Sequence, residues 1–143
     1  MGPLRQVVLF LLFLFTIVPA YAETKLPDSD KNGWHQLGDR LAECSAVYNT
    51  AARLKEGPAQ GNSSYRELAN NALIAGMYSI ERAGLGNNYL ESIYSKKFSF
   101  WHAAAKDKGR TGSLFAKADQ CLSETLPLQN QLVGILREQS AHK

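Results

Sequence analysis

From Trp34 onward, apolar side chains recur at spacings of three and four, and period-two alternation is nowhere sustained, so the pattern predicts helices along the whole stretch. The first runs from about Trp34 to Glu56, with Leu37, Leu41, Cys44, Val47, Tyr48, Ala51 and Leu54 on one stripe. Gly57-Pro58 ends it, because proline cannot continue the hydrogen-bond ladder and restricts the residue before it. Gly38 interrupts the stripe at a cost of up to about 1 kcal/mol relative to alanine. Ser64-Tyr65-Arg66-Glu67 is a capping box that opens a second helix. That helix runs to about Ala83 and stops at Gly84 and Gly86, residues suited to the left-handed turn at a helix C-terminus. Within it, Ala69, Ala72, Gly76, Ser79 and Ala83 form a line of small side chains, which predicts close approach by another helix of the same chain.

A third helix is expected from Asn88, where Asn88-x-x-Glu91 imitates the capping box, to near Gly109. A fourth covers about Ser113 to Glu124, with Leu114, Ala118, Cys121 and Leu122 on one side. A break is expected at Thr125-Leu126-Pro127, since proline fits in a helix's first turn. A last helix then runs to about Gln139, with Leu128, Leu132, Val133, Ile135 and Leu136 on its apolar face. Short turns, no internal repeat and no long linker make residues 33–143 one domain, an all-α bundle of four to five helices. Residues 23–32 are polar, contain Pro27, and read as a flexible leader to that domain.

The first 22 residues follow a different rule. Arg5 precedes an apolar run from Val7 to Val18, and Ala20-Tyr21-Ala22 has small residues where a signal peptidase needs them. Twelve residues of helix span about 18 Å, short of the roughly 30 Å hydrocarbon core of a bilayer. The expectation is a secretory signal at 1–22, cut after Ala22, releasing a soluble periplasmic or secreted product. No cysteine lies near the cut, so a lipoprotein is not expected, and no later run is long enough to cross a membrane. Both cysteines, Cys44 and Cys121, fall in the mature part and on apolar stripes, so an oxidising compartment predicts one disulfide between them. The net charge of +3, of which Arg5 carries one, selects no partner class.

Candidate chemistry narrows the picture by exclusion. His35, His102 and His142 belong to no H-E-x-x-H or Glu-x-x-His motif, and C-x-x-C-H is absent. A haem held by His35 or His102 with Met77 is conceivable in a bundle, but nothing in the sequence specifies it, and neither metal nor cofactor is expected. Ser63-Ser64 is accounted for by capping, no G-x-S-x-G elbow occurs, and paired cysteines leave no thiolate. Asn62-Ser63-Ser64 matches a glycosylation sequon and reads equally well as a loop leading into a helix. Catalysis is therefore not expected.

The third helix carries the one departure from a plain amphipathic pattern. Leu90, Tyr94, Phe98, Trp101 and Ala105 fall on one side, and Tyr89, Ile93, Phe100 and Ala104 fall roughly opposite. A surface helix needs one apolar stripe; two mean either a central helix or one that exposes an apolar face to a partner. Lys106, Lys108 and Arg110 sit at its C-terminal end, where cations offset the helix dipole, but Lys96 and Lys97 are mid-helix and escape that explanation. Lys96, Lys97, Phe98, Phe100 and Trp101 are accordingly the candidate contact residues for a protein partner or an anionic envelope component. Nucleic acid would require the same features but is not expected for an exported chain. The alternatives are a carrier of a small apolar ligand or cofactor between the helices, and an enzyme of unidentified type.

The run from Trp34 to Tyr48, WHQLGDRLAECSAVY, resembles the opening helix of small exported bacterial helical proteins that are themselves uncharacterised. The resemblance implies a bacterial periplasmic setting and carries over no functional residue.

Overall fold

The computed structural model describes residues 25–55 and 57–143; the expected signal peptide lies outside the described residues. Helix α1, Lys31–Leu54, begins three residues earlier than its apolar stripe, because the Asp30 side chain accepts the Asn32 amide at 3.0 Å and caps it. Its entry is tied down: the Trp34 indole donates to the Asp28 carbonyl at 2.7 Å, and Leu26 packs beside Trp34, Leu37, Leu41, Leu128 and Leu132. After α1 comes a small hairpin, β1 (Pro58–Gln60) antiparallel to β2 (Ser63–Ser64), turning through Gly61 at φ 56°. Strands this short have no room to display a two-residue period, so the sequence pattern reads them as loop.

Helix α2, Tyr65–Arg82, starts as its capping box requires, with Ser64 Oγ accepting the Glu67 amide at 3.2 Å. It ends in a Schellman arrangement: Gly84 at φ 79° donates to the Glu81 carbonyl, and Leu85 donates to that of Ile80. Helix α3, Asn87–Lys106, takes Gly86 as its N-cap, without a side-chain cap bond. Asn88 therefore lies inside the helix, and the expected Asn88–Glu91 box does not form. The C-terminal end also comes earlier than Gly109, because Asp107 turns extended and its carboxylate accepts the Gly109 amide at 2.9 Å.

The expected break at Pro127 is replaced by a widened turn. Helix α4 (Thr111–Gln120), a π segment (Cys121–Thr125) and helix α5 (Leu126–Ala141) follow one another without a loop. The Leu126 amide reaches back five residues to the Cys121 carbonyl. Proline at 127 has no amide to donate, and its ring would crowd the carbonyl four residues back; the looser π turn gives that ring room. Four helical rods result, an all-α bundle with one small hairpin.

Helix α1 occupies the middle. Twelve of its 24 residues are buried, including the unbroken run Cys44–Tyr48, and it packs against α2, α3 and α4. Close approach to α2 uses the small-residue line: Ala69, Ala72, Gly76 and Ser79 are all buried, and Ser45 Oγ donates to the Ala69 carbonyl at 2.7 Å. Gly38 belongs to the same contact, since a β-carbon there would run into the Ile80 side chain. Its absence of side chain is thus a packing requirement, not a weak point. Helix α3, by contrast, buries only Leu90, Trp101 and Ala104, so the centre of the bundle is not the third helix. The Cys44–Cys121 disulfide forms, with 5.7 Å between α-carbons, and joins the middle of α1 to the first residue of the π segment.

Candidate functional site

The five candidate residues of α3 do not share one surface. Trp101 turns inward, and its indole N–H donates to Glu43 Oε2 of α1 at 3.2 Å. Lys97 is drawn to the same carboxylate, 3.3 Å from Oε2, while Lys117 of α4 lies 3.2 Å from Oε1. Glu43 therefore ties three helices together beside the disulfide. Burial pushes its carboxyl pKa up, but the Lys117 charge, hydrogen bonds from Trp101 and Lys117, and the Lys97 charge outweigh it and hold the group below the usual carboxylate range.

Phe98 lies on the opposite flank. Tyr94 and His102, one turn before and after it, stack on its two sides at ring-centre distances of 5.9 and 5.4 Å, and the Arg53 guanidinium of α1 sits 5.1 Å from its centre. Tyr94 accepts a hydrogen bond from Asn49 Nδ2 at 2.7 Å, fixing that end of the row. Phe98 is thus held in a seam between α1 and α3, with neighbours over both ring faces.

Phe100 and Lys96 remain on the outside. Phe100 is 52% exposed, meets Trp101 edge-on at 4.9 Å, and carries the Arg110 guanidinium 5.3 Å above its centre. Lys96, one turn earlier on the same face, is exposed. Sequence reasoning assigned Arg110 to the helix dipole and overlooked Glu43 altogether. The signal for Glu43 was its place beside Cys44, on the strip of α1 that a disulfide-linked fourth helix would cover.

Two other arrangements have defined geometry. The Tyr89 hydroxyl donates to Asp39 Oδ1 at 2.9 Å and is also hydrogen-bonded to His35 Nε2, linking α3 to α1. Burial first, and then that bond to the Asp39 carboxylate, raise the Tyr89 pKa. All three side chains are partners of one another across a helix–helix contact, an arrangement that fastens the two helices. Between α2 and α3, Leu73, Met77, Leu90 and Tyr94 line a shallow apolar cleft of about 160 Å³, with Asn87 and Glu91 at its rim. Cavities that enclose a drug-sized ligand begin at roughly 300 Å³.

Among the described residues no group of three or more His, Cys, Asp or Glu is placed to hold a metal ion, and no helix is long and apolar enough to cross a membrane. No family model matches the chain, and neither a curated protein nor a solved structure is detectably similar to it. The resemblance of the opening helix therefore assigns no family.

Proposed function

We propose that this chain is exported, loses its first 22 residues after Ala22, and works in the periplasm or outside the cell as a binding protein whose contact surface for an anionic envelope component is the outer face of α3. The observation that carries this reading is Phe100, half exposed between two cations, Lys96 and Arg110, that have no acidic partner within 4 Å among the described residues. A large apolar side chain left half in water beside cations that no acid pairs suits contact with an anionic surface. The disulfide supports the compartment, because such bonds persist where the surroundings are oxidising. The contact surface is narrower than the one expected from the α3 pattern, since Lys97, Phe98 and Trp101 are engaged with α1. A carrier role stands second, supported by the apolar cleft between α2 and α3 but weakened by its small size.

Fractionation of cells that express the whole chain with its own leader tests the reading. The expected product has the mass of residues 23–143 less two hydrogens, is found with envelope membranes at low salt, and is released at high salt. Replacing Lys96 and Phe100 together by alanine should move it to the soluble fraction while changing stability by no more than about 0.5 kcal/mol. A leader retained on the protein sinks the export part of the proposal. A double variant that stays with the membranes, or that loses several kcal/mol of stability, sinks the assignment of the surface.

A further inference from the structure

Resting on that reading, we infer that the anionic component is a lipid bilayer, entered at headgroup depth by Phe100 while Lys96 and Arg110 meet lipid phosphates. The charge on α3 is sided. Its one acidic residue, Glu91, stands nine positions before Phe100, which at 100° per residue is half a circumference away. Both oxygens of Glu43 are occupied by Lys97 and Lys117, and the Asp107 carboxylate is turned to the Gly109 amide. An approaching anionic surface thus meets Lys96 and Arg110, which have no acidic partner within 4 Å among the described residues.

The shape of the patch chooses between a bilayer and a soluble anionic polymer. Phe100 stands out from a single helix, with Arg110 over its ring and Trp101 edge-on beside it. A sugar or a base stacks flat on a ring face, and Arg110 already lies over one face of Phe100. The exposed half of the side chain is apolar and can insert tip-first. An aromatic side chain flanked by cations is the arrangement that seats a protein at the boundary between headgroups and acyl chains. Because no described helix can span a bilayer, such contact would be peripheral and reversible.

Co-sedimentation of the oxidised mature protein with vesicles tests this, using phosphatidylcholine alone and an equal mixture of phosphatidylcholine and phosphatidylglycerol. Binding is expected on the mixed vesicles only, and should vanish near 1 M salt, where the screening length falls to about 3 Å. Lys96→Ala and Arg110→Ala should each weaken partition about fivefold, and Phe100→Ala about tenfold. Phe100→Trp, which keeps an interfacial aromatic, should bind like the parent. Equal binding to both vesicle types, no binding to either, or variants indistinguishable from the parent would each overturn the inference. If the parent ignores vesicles while the Lys96/Phe100 variant still leaves the cell's membrane fraction, the bilayer assignment falls and the binding surface stands. If that variant also stays with the membranes, both fall.

Discussion

Helices α1 and α3 are of similar length, 24 and 20 residues, yet one is the axis of the bundle and the other a flank. By large apolar residues alone, α3 should be the more buried. It has Tyr89, Leu90, Ile93, Tyr94, Phe98, Phe100 and Trp101, but few of these are out of reach of solvent. In α1 the decisive residues are small: Gly38, Ala42, Ser45, Ala46, Thr50 and Ala51 are all buried, alongside the larger Leu37, Leu41, Val47 and Tyr48. Small side chains let neighbouring backbones close in from several directions, whereas bulky rings hold a neighbour away and need room at the edge. Centrality in this bundle is set by how near other helices can come, not by how much apolar surface a helix carries.

The contrast can be broken most directly by truncation. Leu41→Ala empties a fully buried site on α1 and should cost about 2–5 kcal/mol. Phe100→Ala removes a larger side chain from α3, and the cost there should stay within about 0.5 kcal/mol. Urea melts of the two variants side by side give the comparison, and similar losses would show that α3 is as much core as α1. Gly38→Ala sharpens it further. Helix propensity alone would gain up to about 1 kcal/mol, but the new methyl meets Ile80, so a net loss of about 1–3 kcal/mol is expected. A stabilised Gly38→Ala protein would mean that α2 can back away from α1 without cost.

The smallest effect concerns the carboxylate where the two helices meet. Glu43 has its pKa lowered in the folded protein by Lys117, Trp101 and Lys97 acting against burial. A depressed folded value contributes stability above the unfolded pKa, near 4.5, and that contribution is lost as pH falls through the folded value. The parent should therefore lose more stability than Glu43→Gln between neutral pH and the acid side of that value. Parallel pH profiles of the thermal midpoint for the two proteins would show that the pairing contributes nothing.

The helical class, the approximate ends of α1 and α2, the Ser64 cap and the Cys44–Cys121 bridge were all legible in the sequence, because each rests on local spacing or on the pairing of a lone set of cysteines. What was hidden depends on residues that carry no clear polarity signal. Ala42, Ser45, Ala46 and Thr50 fit inside or outside equally well, so the sequence pattern could not show that α1 is covered on several sides. Gly38 shows up in a propensity scale only as a cost, and its purpose is visible once Ile80 is placed against it. Proline at 127 signals a break by local rules, and the chain instead absorbs it by widening one turn. At the candidate site the chemical types were readable, but their facing was not: Lys97 and Trp101 are drawn inward to Glu43, a residue from another helix, while Phe100 stays half exposed.

The bridge between Cys44 and Cys121 also sets the covalent topology of the molecule. Every residue from 44 to 121 lies on a closed ring of chain, which contains the hairpin, α2, α3 and α4. A protease that cuts once inside this ring, at the exposed turn of Gly61 and Asn62 for instance, opens the loop but releases no fragment. The nicked protein keeps its mass within one water until a reductant is added. Limited digestion would therefore look like resistance on a non-reducing gel and like a clean cut on a reducing one.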